Sequence, residues 1–406
     1  MALQRTTALR KSEGTRSPSR IPALDGLRGI AALVVVIHHC MLTVPELSKS
    51  VTDAHAHDVG SLTWWVTHTP VHLLWDGTEA VFVFFVLSGF VLSLPIAEGR
   101  GAAWMAYYPR RLCRLYIPAA AGLVLALLTV AVVARPTHVH DSGWVAMHAA
   151  QPHGLAQALR ALLLVGGSSV LDTPLWSLKW EVVFSVCLPL YVLGSRVFQG
   201  WWPLKTAGLL ALIAIGEDVG SGILLYLPMF ALGSLMAFER TRLTTLCARI
   251  GGKLWCVVAV VGLLLVNSWW TVYASTSHAH WLVYVAGLAR SLSVVGAIMV
   301  IGVAMHWSAA GGALNSRPIR WLGKRSFSLY LVHEPILIAI VFSLGGNPPL
   351  ALTLALTIPA ALVAAELFRR VAEEPALRLS RLIGRWVDRP TLWRWRGAAG
   401  TPPRTV

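Results

Sequence analysis

An arginine and a histidine, eleven residues apart, bracket the first apolar stretch of the chain. It opens Leu24-Asp25-Gly26-Leu27-Arg28-Gly29 and runs through small and branched apolar residues to His38-His39. Eleven steps of about 100° make about 1100°, some 20° past three full turns, so on a helix Arg28 and His39 share a face about 16.5 Å apart. His38 points about 100° away from its neighbour. Taken singly, Arg28 reads as a membrane anchor and His39 as a packing hydrogen bonder. On one face together they read as a site, with a fixed cation at its mouth and an imidazole deep along it.

Other ionisable residues stand in apolar surroundings, where each is a functional candidate by default. Glu79 opens the run Val81 to Ser93, at a depth from which it could orient His39 or simply face water. Arg110-Arg111-Leu112-Cys113-Arg114 is either a topological anchor or a cradle for phosphate, which arginine grips as a fork. Glu181 lies one to two turns inside the run that begins Pro174-Leu175-Trp176-Ser177. Ser326, Tyr330 and His333 stand at i, i+4 and i+7, on one helix face.

The elements that must hold these residues follow from composition. The chain has 406 residues, 56% hydrophobic and 13% charged, with a mean hydropathy of +0.63. Soluble domains carry roughly 25% charged residues, so a soluble single-core enzyme, a disordered chain and a disulfide scaffold are all excluded. The expectation is an all-α, polytopic integral membrane protein of the plasma membrane. Apolar stretches predict about ten spans, at 29–46, 78–97, 116–134, 175–194, 205–217, 221–238, 254–272, 282–305, 326–345 and 350–368. The stretch 157–171 reads as re-entrant or interfacial.

Placing both termini in the cytoplasm puts 29 of the 34 Lys and Arg in inner segments and three, Lys49, Arg135 and Arg160, in outer loops. The net charge of +15 therefore reflects topology, and no nucleic-acid partner is expected. Ten of 14 histidines fall in the outer loops, among them His68, His72 and His148, at spacings that match no zinc pattern. They read as solvated, and no metal site is expected. The five cysteines form no framework, and no cleaved leader is expected. The organisation predicted is a basic N-terminal tail (1–20), a transmembrane domain (21–375) and an Arg-rich tail (376–406) that is flexible or interfacial.

Taken in order, these segments resemble the acyltransferase family 3 membrane O-acyltransferases. Asp25 to His39 is similar to the family's Arg-x10-His opening. The phenylalanine run to Ser88-Gly89-Phe90, Arg111 to Pro118, Trp176-Ser177-Leu178 with Glu181, Ser326 to Pro335, and Glu374-Pro375 resemble its later elements. Phe327 stands in place of a usual tyrosine, Phe82 where many members have an acid, and Ala80 where many have glycine. The stand-alone type, with no fused hydrolase-like domain, is the one it looks like.

The resemblance implies transfer of an acyl group, acetyl foremost, from cytoplasmic acyl-CoA to a hydroxyl of a carbohydrate or sugar-bearing metabolite. Cell-envelope glycans and macrolide-type sugars are both candidate acceptors. No tightly bound cofactor is expected, and acyl-CoA is a co-substrate. Arg28, with Arg110, Arg111 and Arg114, would hold the coenzyme phosphates. His39 would be the general base, reached along one tunnel from Arg28, with Glu181 or Glu79 steadying its imidazolium. Tyr330, His333 and Trp176 are the acceptor-binding candidates. The rival from another class is a multi-pass transporter or flippase for a glycan or antibiotic, although no internal repeat of the transporter kind is present.

Overall fold

Apolar runs near 20 residues long fold as helices because lipid offers their backbone groups no partner except the chain itself. The computed structural model describes residues 21–53, 58–100, 103–150, 154–165, 170–273 and 282–387. Among them each of the ten apolar stretches forms a helix: α1 Pro22–Met41, α2 Gly77–Ala97, α3 Trp104–Val132, α4 Leu175–Arg196, α5 Trp202–Asp218, α6 Gly222–Phe238, α7 Gly252–Val266, α8 Leu282–His306, α9 Ser326–Ser343 and α10 Leu350–Phe368. An eleventh, α11 Glu374–Val387, continues α10 through a π-helical turn at Arg369–Glu373.

No strand occurs among the described residues. Among the described residues seven helices are long and apolar enough to cross a bilayer, α10 and α11 together counting as one. An eighth candidate is α6 joined to Arg240–Cys247 across a 74° bend, whereas α5 has 17 residues and α7 has 15. The chain is an all-α, multi-pass membrane protein. Below, the end of the bundle that carries Arg28 is called the basic end, and the opposite end the far end.

Close approach at two glycines locks α2 against α6. A side chain at Gly89 would run into the Phe230 backbone, and one at Gly233 into the Val86 carbonyl. Small residues at such crossings are how helices pack where lipid supplies no hydrophobic drive. Beside them Phe85, Phe230 and Phe184 stack at centroid distances of 4.7 and 4.6 Å. Ser93 meets Ser234 at 2.8 Å, and Ser234 meets Ser195 at 3.1 Å, which ties α2, α6 and α4 together near the basic end.

Two irregular regions complete the frame. In the stretch read as re-entrant, Leu155–Leu162 is an eight-residue helix, about 12 Å long and too short to cross. Residues 170–174 then enter the bundle, with Leu171 and Asp172 fully buried, before α4 begins. The first part of the C-terminal tail is ordered: Ala376, Ser380 and Gly384, four apart, form the buried stripe of α11, which packs along α3. The tail predicted at 1–20 and residues 388–406 lie outside the described residues.

Candidate active site

Successive residues on a helix diverge by about 100°, and α1 uses this to send its two histidines to different neighbours. His38 donates through Nδ1 to the Trp75 carbonyl (2.9 Å). His39 turns toward α9. Its Nδ1–H meets the Val35 carbonyl at 2.8 Å and His333 Nε2 at 3.3 Å, with the two rings 4.9 Å apart. Since His333 donates its own Nδ1–H to the Leu329 carbonyl (3.1 Å), its Nε2 is an acceptor, and this places the His39 proton on Nδ1. In the neutral imidazole His39 Nε2 then carries the lone pair. It faces Glu334 Oε2 at 3.4 Å.

Glu334 is fully buried, and hydrogen-bonding groups surround it. Thr173 donates its backbone N–H (2.7 Å) and its hydroxyl (2.5 Å), and His148 Nε2 lies 3.1 Å from Oε1. His148 in turn donates Nδ1–H to the Trp144 carbonyl (2.8 Å), and the Trp144 ring lies 5.5 Å from that of His39. Four elements thus converge: α1, α9, the short helix Gly143–Ala150, and the buried approach to α4. Asp172 on that approach is fully buried, and burial, then the nearby Glu334, hold its carboxyl well above the usual carboxylate range.

This centre corrects the expected partner of His39. Glu79 is ion-paired with Arg290, which also holds Glu217 at 3.0 Å. Glu181 accepts from Arg111 (2.6 Å) and Ser88 (3.1 Å). Neither carboxylate bonds His39; Glu334 takes the position expected for them. Depth along each helix was legible from the sequence, but the direction each side chain faces was not. The only signal for Glu334 was an acid in an otherwise apolar helix next to His333, a residue already singled out.

The loop histidines divide. His68, His72 and His148 are buried, which overturns their reading as solvated, because each sits on a short far-end helix with its ring packed on a tryptophan, His68 and His72 on Trp270 and His148 on Trp144. His138 and His140 are exposed, and His55, His57, His153, His278 and His280 lie outside the described residues.

Toward the basic end, Arg28 lines a narrow cavity of about 40 Å³ together with Glu181, Ser88, Ser177, Phe84 and Tyr330. Arg111 is held by Glu181 and Ser185 (3.0 Å), and Arg114 lies close enough to Arg28 and Arg111 to feel their charge. Arg110 diverges. It lies across Gly384 of α11, beside Arg378, Arg381 and Arg385, so it does not join the other three. Tyr330 donates to the Pro174 carbonyl (3.0 Å), and its hydroxyl also meets Ser177 Oγ at 2.7 Å. Its ring lies 6.0 Å from that of His333. In place of the expected continuous tunnel, this cavity has Tyr330 among its lining residues and does not include His39. Trp176 is partly exposed and packs on Tyr226 (5.2 Å) and Phe85 (6.2 Å), away from this centre.

Comparison with known proteins adds independent evidence. An acyltransferase domain matches residues 21–368. Similar curated proteins include the peptidoglycan O-acetyltransferase OatA of Listeria monocytogenes, 24% identical, with 87% of this chain and 55% of the relative covered. The O-acetyltransferase OatA of Staphylococcus aureus is 24% identical over 82% of this chain and 53% of its own length. The putative peptidoglycan O-acetyltransferase YrhL of Bacillus subtilis is 24% identical over 78% and 49%. The chain spans about half the length of these relatives. No solved structure matches it.

Proposed function

The chain belongs to the family 3 membrane acyltransferases, and from that premise we propose that it moves an acyl group from acyl-CoA to a sugar hydroxyl, with His39 as general base. The observation that carries this reading is His39 Nε2 facing the buried Glu334 carboxylate at 3.4 Å, with His39 Nδ1 bonded to the Val35 carbonyl. The acceptor hydroxyl gives its proton to Nε2 while its oxygen attacks the thioester carbonyl carbon. Glu334 steadies the imidazolium that forms. As the tetrahedral intermediate collapses, the C–S bond breaks, the thiolate takes the proton back from Nε2, and an ester and free coenzyme A leave. Proton transfer of this kind contributes about 10²–10⁴-fold in rate. Transfer is direct, a reading supported by His39 having no serine or cysteine partner among the described residues.

The basic end is the cytoplasmic one, in keeping with its Lys and Arg content. Arg28 and Arg114 hold the donor's phosphates there, while Arg111, bound to Glu181, fixes the wall between them. The thin arm of the donor then covers the roughly 16.5 Å from Arg28 to His39 after Tyr330 swings out of its path. Acetyl is the foremost acyl group, in line with the names of the relatives. Those names also favour a cell-envelope glycan as acceptor over a macrolide-type sugar. Family membership weighs against a transporter, which would need no donor chemistry.

Purified full-length protein in detergent, given radiolabelled acetyl-CoA and peptidoglycan fragments, should consume the thioester and label the glycan. The H39A variant should do neither. A wild type that leaves the donor intact with every glycan offered defeats the reading.

A further inference from the structure

On the far-end side of the His39–Glu334 pair, one half-buried guanidinium has no carboxylate within ion-pair distance among the described residues. Arg135 lies just beyond α3, and its side chain folds back so that Nη2 donates to Thr129 Oγ1 (3.1 Å). Its Nε and Nη1 are buried and have no hydrogen-bond partner among the described residues. Leaving a charged donor buried and unmade is costly, and such a group in a native fold calls for a ligand or a role.

Its position follows from the helices. α3 and α9 both run from the basic end to the far end and touch where a methyl group at Gly122 would lie 3.4 Å from the Leu331 carbonyl oxygen and 3.6 Å from Asp172 Oδ2. Thr129 is seven residues beyond Gly122, and Glu334 three beyond Leu331. At 1.5 Å per residue the Arg135 head therefore stands about 6 Å, one turn, further out than Glu334. Val133 of this same chain end packs in one cluster with Trp144, whose ring borders His39. Glu334 is the acid whose charge reaches Arg135, yet it is already satisfied by Thr173 and His148.

We propose that Arg135 determines acceptor specificity by binding a carboxylate or phosphate carried by the acceptor about one sugar ring from the hydroxyl at His39. The inference rests on the acyltransferase reading above for what the acceptor is. With one Nη2 hydrogen given to Thr129, one two-N–H edge of the guanidinium remains for a bidentate grip, the geometry for which arginine is suited and lysine is not.

The test reads binding without turnover, using full-length protein in detergent. One probe is a tetrasaccharide of peptide-free peptidoglycan, whose muramic residues expose the lactyl carboxylate. The other is the N-acetylglucosamine tetramer, which lacks it. Wild type should prefer the charged glycan roughly tenfold, and R135Q should bring the ratio to about one by weakening only the charged probe. R135K should retain part of the preference, and it serves as the reference should R135Q fold poorly. A wild type without preference, or an R135Q variant that keeps it, overturns the proposal. So does an R135Q variant whose glycan preference is intact but whose binding to phosphatidylglycerol nanodiscs is lost, since the site would then serve a lipid headgroup. Absence of acyl transfer, by contrast, would defeat the functional reading while the binding ratio still decides the role of Arg135.

Discussion

Two clusters of buried ionisable groups flank the adjacent histidines of α1, and they balance charge by opposite means. On the His38 side, Arg290 holds Glu79 and Glu217 and lies over the rings of Trp269 (4.5 Å) and Phe82 (5.4 Å). On the His39 side, Glu334 has no lysine or arginine within ion-pair distance among the described residues, only Thr173 and two imidazoles. A guanidinium never gives up its proton, so the first cluster is locked as an ion network that braces α2, α5 and α8. Imidazoles exchange protons, so the second can do chemistry. The lesson is that burial alone does not mark an active site. What suits a cluster to the proposed proton transfer is a buried carboxylate partnered by imidazoles in place of a guanidinium.

Substitutions can break or sharpen this contrast. The largest expected effect is His39→Ala, which should lower acyl transfer by about 10²–10⁴-fold while thermal unfolding in detergent stays near wild type. Equal loss of activity in His38→Ala would erase the distinction between the two sides. Next, Arg290→Met strands Glu79 and Glu217 in the interior and should cost about 3–5 kcal/mol in unfolding. Any activity left in the folded fraction should show an unchanged KM for the donor.

Glu334→Gln keeps the shape but removes the charge opposite His39. Turnover should fall roughly 10- to 100-fold, with the donor KM held. Arg28→Ala should raise the donor KM roughly tenfold and leave acceptor binding alone; equal loss of both would contradict its assignment to the donor. The smallest effect is expected for Ser177→Ala, which removes one hydrogen bond to Tyr330 and should cost about 1 kcal/mol of stability. If turnover rises in that variant, Tyr330 obstructs the donor path.

How far the sequence could be read differs between fold and site. All ten apolar stretches became helices because hydrophobic length and backbone self-satisfaction are local properties. The boundary between α5 and α6 also fell near Asp218, where Gly220 adopts a positive φ of 67°. Arg28 and His39 were singled out by their spacing; the structure sets Arg28 in the basic-end cavity and His39 beside His333 and Glu334. His148 was misread because a short polar segment looks solvated until the rest of the chain covers it. Arg290 and Asp172 drew no notice, since each lies in a stretch whose neighbours gave no pattern.

By itself the sequence determined that the chain is a multi-pass helical bundle, which residues lie deep in it, and that Arg28 and His39 occupy one helical face. Hydropathy and the 3.6-residue period, both properties of a single helix, are enough for that. Which of the acids Glu79, Glu181 and Glu334 meets His39 was decided only by tertiary structure. That choice depends on how each helix is rotated about its own axis, and rotation is set by packing between helices, such as the Gly89–Phe230 contact, and by the buried entry of residues 170–174 that brings Thr173 to Glu334.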